Sequence, residues 1–429
     1  MNNMGRNFQL VMALLMVLCN SLAYAQNTKL TLEQSYKLAR ENFPLIKSLD
    51  LIRQSGEYSV SNVKSGYLPS ISINGQYTYQ SDVTGLPIDL PNLTIPEIDN
   101  NQYKIYVEIN QTLYDGGMIN NQKKAQELLT RIEDQSTEVE LYKIRERVNQ
   151  LYFGILLFEG QIEQTRLMRN DIQAGLEKTE ASFANGIVLK SSVDALKAEL
   201  LKIDQRLVEL NSGKIAYLNM LGIFINQPIN EENELEVPQP IKINTEISRP
   251  ELDLFSARLE STAIQSRAIT AKNLPRLNFF FQGGYGSPAL NMLEPDADTY
   301  YITGVRLAYP LTGFYNKHRE KSMNVISKQQ VEIQRETFLL NTKLQVTQQN
   351  AELEKIQQLI ITDNEILALR ESIRTASLAQ LEHGVITSSD YLREVTAADN
   401  ARQSKTIHEI QWLLTQYNHQ LVTGTKSLK

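Results

Sequence analysis

The sequence predicts a mixed, mainly α fold written twice, in which a pair of alternating strands feeds a long helical hairpin. Three observations carry this reading. Pro44 and Pro250, and Pro69 and Pro275, share one offset of 206 residues, so Pro44 to Pro69 and Pro250 to Pro275 each bracket a helical stretch ending in Leu-Pro. Four segments alternate with period two, as half-buried strands do. Two proline-free stretches carry apolar residues at three- and four-residue steps, the rhythm of helices packed along a narrow seam. Composition agrees: 42% hydrophobic residues and a mean hydropathy of −0.31 suit long helices better than large globular cores.

Residues 1–25 read as a secretory signal. Arg6 charges the first part, Phe8 to Leu18 is apolar but too short to span a bilayer, and Ala23-Tyr24-Ala25 offers small residues for cleavage before Gln26. The single cysteine, Cys19, leaves with this peptide; acylation at Cys19 is the alternative, disfavoured by Leu18 in front of it. A mature chain without cysteine has no disulfide and no thiol chemistry. Beyond residue 25 no apolar run reaches the ~18 residues of a membrane helix, so any bilayer crossing falls to strands. The net charge of −6 comes with no basic face for nucleic acid.

The strands are expected at Ile71–Gln80, Tyr103–Leu113, Leu277–Gly286 and Tyr300–Tyr309. Each is about ten residues long, the length a tilted strand needs to cross a bilayer, with Tyr and Phe near the ends. A water-soluble sandwich with one buried face is the alternative for each strand alone. The connections 81–102 and 286–299 are proline-rich and acidic, as exposed loop tips are, and fit the external side. Bacterial barrels hold at least about eight strands and lipid tolerates no open sheet edge, so four membrane strands require several chains to share one barrel.

The first long helix is expected from Gly117 to about Phe183, with a seam of Leu141, Ile144, Val148, Leu151, Ile155, Phe158 and Ile162 that continues more thinly through Ile172, Leu176 and Phe183. The second repeat has a noisier seam through Leu339, Val346, Leu353, Ile356, Ile360 and Leu367. Each long helix breaks at a glycine, Gly186 or Gly384, the residue favoured just past a helix end. The return helices open on Ser191-Ser192-Val193-Asp194 and Thr387-Ser388-Ser389-Asp390, both with capping-box spacing, and Thr31 to Gln34 looks alike. The chain thus divides into a signal (1–25), a first repeat (26–225), a proline-rich linker (226–249) and a second repeat (250–429).

With these residues in place, the chain resembles the TolC-like outer membrane efflux protein family over nearly all of its mature length. The resemblance rests on the duplicated Leu-Pro before a strand, on Leu113-Tyr114-Asp115-Gly116-Gly117 after one, and on Phe183-x-x-Gly186 with its partner Gly384. The second repeat departs at Tyr309-Pro310-Leu311-Thr312-Gly313, where the Asp-Gly-Gly turn is missing. The resemblance implies a homotrimer: a twelve-strand barrel in outer-membrane lipid, continued by a helical barrel through the periplasm. It implies two partners, a periplasmic adaptor and an inner-membrane pump or ABC transporter. Adaptor docking would map to the hairpin tips, Asn185-Gly186-Ile187 and His383-Gly384-Val385, although both glycines equally serve plain helix termination. A charged ring at the periplasmic mouth would map to Asp390, with Arg393 and Asp194 nearby; capping alone also accounts for Asp390. Leu381 and Ile386 stand where some members keep polar gate bonds, so that network does not carry over.

His318, His383, His408 and His419 lie without ligand spacing, and no phosphate loop, nucleophile elbow or cysteine pair is present, so no enzyme, cofactor or metal is expected. An export duct is the reading adopted. A structural coiled coil or adhesin of the envelope is the alternative, and the four strands weigh against it. A single-hairpin adaptor is a third, disfavoured because this chain has two hairpins and two strand pairs.

Overall fold

The computed structural model describes residues 29–85, 98–230, 235–243, 245–292 and 294–424. The secretory signal, with Cys19, and most of the first proline-rich loop lie outside the described residues. In chain order the elements are α1 (Leu32–Asn42), α2 (Ile46–Lys64), β1 (Ser70–Tyr79), β2 (Asn101–Tyr114) and α3 (Met118–Ala184). There follow α4 (Lys190–Ile225), α5 (Pro250–Ala271), β3 (Arg276–Ser287), β4 (Asp298–Ala308), α6 (Phe314–Glu382) and α7 (Ser388–Thr423). Every expected strand is present within two residues of its expected ends, and both hairpins form. At 1.5 Å per residue, α3 and α6 each run about 100 Å.

The chain folds as two compact units, each taking pieces of both repeats. One unit contains residues 47–139 and 250–339, and its centre is a four-stranded antiparallel sheet in the order β1-β2-β3-β4. The repeats meet at its middle, where β2 pairs with β3 from Tyr103 opposite Ser287 to Tyr114 opposite Leu277. A two-residue step between Thr112 and Tyr114 breaks this register once. The expected Asp-Gly-Gly turn starts α3: the Asp115 carboxylate accepts from the backbone N–H of Gly117 (2.8 Å) and of Ile119 (2.6 Å). These are donors that the first helical turn leaves unpaired.

The other unit contains residues 140–249 and 340–424 of the described chain, with α1. Here the two hairpins pack on one another along the seam read from the sequence. Leu141, Ile144, Val148, Leu151, Ile155 and Ile162 are all buried. Toward the hairpin tips one cluster joins Met168, Ile172 and Leu176 of α3, Val193, Leu196, Leu200 and Ile203 of α4, Leu381 of α6, and Tyr391 and Val395 of α7. Helix α1 opens on the expected capping box, the Thr31 hydroxyl accepting from Gln34 N–H and the Gln34 side chain accepting from Thr31 N–H.

Two expectations need correction. The first return helix has no capping box at Ser191: α4 already begins at Lys190, with Leu189 before it and no side-chain cap. Phe183 does not continue the seam; it is 45% exposed at the tip. The noisier seam of the second repeat is present, with Leu353 and Ile356 buried and Leu339, Val346, Ile360 and Leu367 partly so, while α6 also leaves Leu340, Leu344, Ile361, Ile366 and Leu369 exposed.

Candidate functional site

Three features of these units are candidates for function. The first is one face of the sheet. Register places Ile71, Ile73, Tyr77 and Tyr79 of β1 beside Tyr103, Ile105 and Val107 of β2. The same face continues through Phe279, Phe281 and Tyr285 of β3 to Tyr301, Val305 and Leu307 of β4. These apolar side chains are largely exposed, Ile73 to 75% and Tyr301 to 70%. The opposite face is more polar, carrying Ser72, Asn74, Gln76, Lys104, Glu108, Asn278, Gln282 and Arg306 together with Tyr106, Phe280, Tyr300 and Ile302. A soluble sandwich buries its apolar face; this sheet turns it outward, as a lipid-facing strand layer does. Strands β1 and β4 each pair on one side only among the described residues.

The second feature is the pair of hairpin tips. Both close by the same backbone device: Ile187 N–H donates to Ser182 O (2.9 Å) and Val385 N–H to Gln380 O (2.8 Å), each spanning the left-handed glycine. Gly186 has φ +72° and Gly384 φ +69°, and no atom lies near where a Cβ would stand. Asn185, Gly186, Ile187, His383, Gly384 and Val385 are all exposed, Ile187 to 68% and Val385 to 70%. Leu189 adds another exposed apolar side chain. The two tips sit at the same end of their unit, tied by the Lys178 ammonium and the Glu382 carboxylate at 2.7 Å.

Just past the second tip, the expected box forms. Thr387 donates by hydroxyl (2.7 Å) and backbone N–H (3.2 Å) to the Asp390 carboxylate and accepts from Asp390 N–H. Those two bonds, with Arg393 at 3.4 Å, hold the Asp390 carboxyl below its usual range. Asp194 is exposed on α4. Leu381 is a buried core residue with Ile386 packed against its cluster, which is why neither position carries a polar bond.

The third feature was not found from the sequence. Arg402 of α7, its side chain 9% exposed, donates to Glu371 of α6 (2.5 Å) and to Asp171 of α3 (2.9 Å). Arg374 of α6 donates to the same two carboxylates at 2.9 and 2.6 Å. Burial would raise the Glu371 pKa, but hydrogen bonds from Arg402 and Arg374 outweigh it and lower the carboxyl instead. Beside the cluster, Tyr391 is fully buried and its hydroxyl donates to Asp171 O (2.6 Å). The ring fits because α3 has Gly175 against it. One sequence signal did exist: seven residues after the tip glycine the second repeat has Tyr391 where the first has Val193.

Among the described residues no helix is long and apolar enough to cross a membrane, which says nothing of strands. No group of His, Cys, Asp and Glu among them could hold a metal ion.

The outward apolar sheet and paired hairpins form a fold that known proteins share. Residues 35–216 match the model of the outer membrane efflux protein family. No curated protein matches the sequence. Among solved structures, one describing CusC and its transmembrane channel formation is 14% identical, with a TM-score of 0.71 and 92% of each chain covered. The outer membrane protein VceC of Vibrio cholerae is 13% identical, with a TM-score of 0.68, 92% of this chain and 97% of that one. The CmeC outer membrane channel of Campylobacter jejuni is 14% identical, with a TM-score of 0.66, 93% of this chain and 86% of that one. The segment match covers less than half of the chain and likens that part to outer membrane efflux proteins, and the whole-chain comparison shows that the fold is the one these channels share. The family is one of transport channels rather than enzymes.

Proposed function

We propose that the chain is one third of the exit duct of a tripartite efflux pump or a type I secretion system. The single observation behind this is the sheet: an outward apolar face with β1 and β4 each open on one side. Lipid tolerates no open edge, so β4 of one copy pairs with β1 of the next until the ring closes. Three copies of four strands give a twelve-strand barrel, within the even-numbered range of bacterial barrels. The exposed apolar residues of α6, such as Leu340, Leu344 and Leu369, then face a neighbouring copy and line up the periplasmic helices.

In this reading each of the two sequence repeats supplies two strands and one hairpin, and the linker 226–249 joins them. The exposed tips at Asn185-Gly186-Ile187 and His383-Gly384-Val385 dock a periplasmic adaptor, which recruits the inner-membrane pump or ABC transporter. Asp390, Arg393 and Asp194 border the periplasmic mouth. The duct does no chemistry, and the inner-membrane partner supplies the energy.

Detergent-solubilised protein should run as a trimer and, reconstituted in a planar bilayer, should give discrete conductance steps. A stable monomer that never conducts would overturn the proposal. Replacing both tip glycines should reduce export in cells while the trimer persists; unchanged export would remove the tips as docking sites.

A further inference from the structure

We propose that Asp399 is a proton-binding site that sets how firmly the second hairpin is clasped to α3. Asp399 lies on α7 one turn before Arg402, the residue at the centre of the three-helix ion cluster. Its Oδ1 is closed off from solvent and has no hydrogen-bond partner. Two of the three Arg402 nitrogens are engaged elsewhere, Nε with Glu371 and one terminal nitrogen with Asp171, and none donates to Asp399 Oδ1. A buried carboxylate oxygen without a donor is costly when charged and much less so when protonated.

The surroundings make Asp399 the odd charge out. Arg374 and Arg402 carry two positive charges against the two negative charges of Asp171 and Glu371, so an ionised Asp399 leaves one negative charge in excess. Three further ion pairs lie on or against the packed helices. Arg169 of α3 pairs with Asp204 of α4 at 2.8 Å. Arg370 of α6 pairs with Glu394 of α7 at 3.3 Å, and His408 of α7 with Asp363 of α6 at 2.6 Å. Burial pushes the Asp399 carboxyl up to about 6; Arg402 and a hydrogen bond from Gln403 oppose this, and Asp171 adds to it. Against an ordinary value of 3.8, the folded hairpin binds this proton about a hundredfold more tightly than the unfolded chain.

The sign follows directly. An acid that holds its proton more tightly when folded gains stability as pH falls, here between about 6 and 3.8, and the full cost of its charge is present above pH 6. Mild acid therefore tightens the packing of α6 and α7 on α3, and neutral pH loosens it. The clasp lies ten residues before Gly384 on α6 and eighteen after it on α7, so the exposed second tip hangs from it. The site concerns hairpin packing and is independent of what the duct carries.

The test compares the full mature trimer with Asp399→Asn, which keeps the shape and cannot ionise. The variant should unfold at a higher apparent midpoint than wild type at pH 7.5. That gap should narrow by about half at pH 5, as the folding equilibrium difference falls from about a hundredfold to about tenfold. The difference infrared spectrum, wild type minus variant, should show a carboxylic-acid band that grows between pH 7.5 and 5, since the ordinary carboxyls common to both cancel. If Asp399→Asn is not recovered folded, Asp399→Ser gives the same comparison. An equal gap at both pH values, or a wild-type band identical to that of the variant, would overturn the proposal.

Discussion

Substituting Gly175→Ala should destabilise the hairpin pair by about 2–4 kcal/mol, a large effect for one methyl group. The added Cβ would stand 2.2 Å from Cε1 and 2.9 Å from Cδ1 of Tyr391. Unbonded carbons settle at about 3.5–4.0 Å, so the ring must retreat by more than ~1 Å. It has nowhere to go, because Tyr391 is fully buried among Leu176, Leu196 and Val395. Overpacking of this kind costs about 1–3 kcal/mol. A displaced ring also loses its hydroxyl bond to Asp171 O, worth a further ~0.5–1.5 kcal/mol. The assay is the apparent unfolding midpoint of the purified protein in detergent at a fixed heating rate, since large proteins often unfold irreversibly. The decisive form is a double-mutant cycle with Tyr391→Leu, which removes the ring that the new methyl group would strike. If the contact is the cause, the double variant should be more stable than the sum of the single effects by at least ~1 kcal/mol. Additive costs would refute the argument.

Other expectations follow from the same structure. At Gly186 and Gly384 the space around a Cβ is open, so alanine there costs only backbone strain, about 1–2 kcal/mol each, and asparagine less; thermal midpoints of the four single variants check this ranking. Thr387→Ala should cost ~1 kcal/mol as a lost helix cap and should let the Asp390 carboxyl rise toward its usual range, read by stability and by acid titration. His419 is fully buried with neither ring nitrogen partnered, and burial lowers its pKa. Stability from this residue is complete above its ordinary 6.5 and declines as pH falls through the folded value, the reverse of Asp399. His419→Phe should therefore flatten acid sensitivity below pH 6.5 in the same melts. Ile105→Arg, on the outward face of β2, should cost about 2–4 kcal/mol near the bilayer midplane and should lower the yield of assembled trimer in membranes. An equivalent change at Lys104, on the other face, should not.

Much of this protein was legible from the chain alone because its signals are local. Period-two alternation needs only neighbours in the chain, so the expected strands, such as Ile71–Gln80 against the observed Ser70–Tyr79, differ by a residue or two. The tip glycines were legible too, since a left-handed backbone at a helix end favours glycine regardless of what surrounds it. The first capping box failed for a reason equally local: Ser191-x-x-Asp194 has the right spacing, but the helix starts before it, at Lys190.

What the sequence determined alone was the element order, the duplication and the alternation of the strands, all set by spacing along the chain. What the tertiary structure decided was which distant residues meet. Asp171 and Arg402 are 231 positions apart, and nothing in either neighbourhood announces their contact. Tyr391 looks like one more seam residue until Gly175 is found against its ring. Packing two hairpins side by side desolvates these groups together, and that shared burial makes an ion cluster of residues that separately read as the solvated face of a helix.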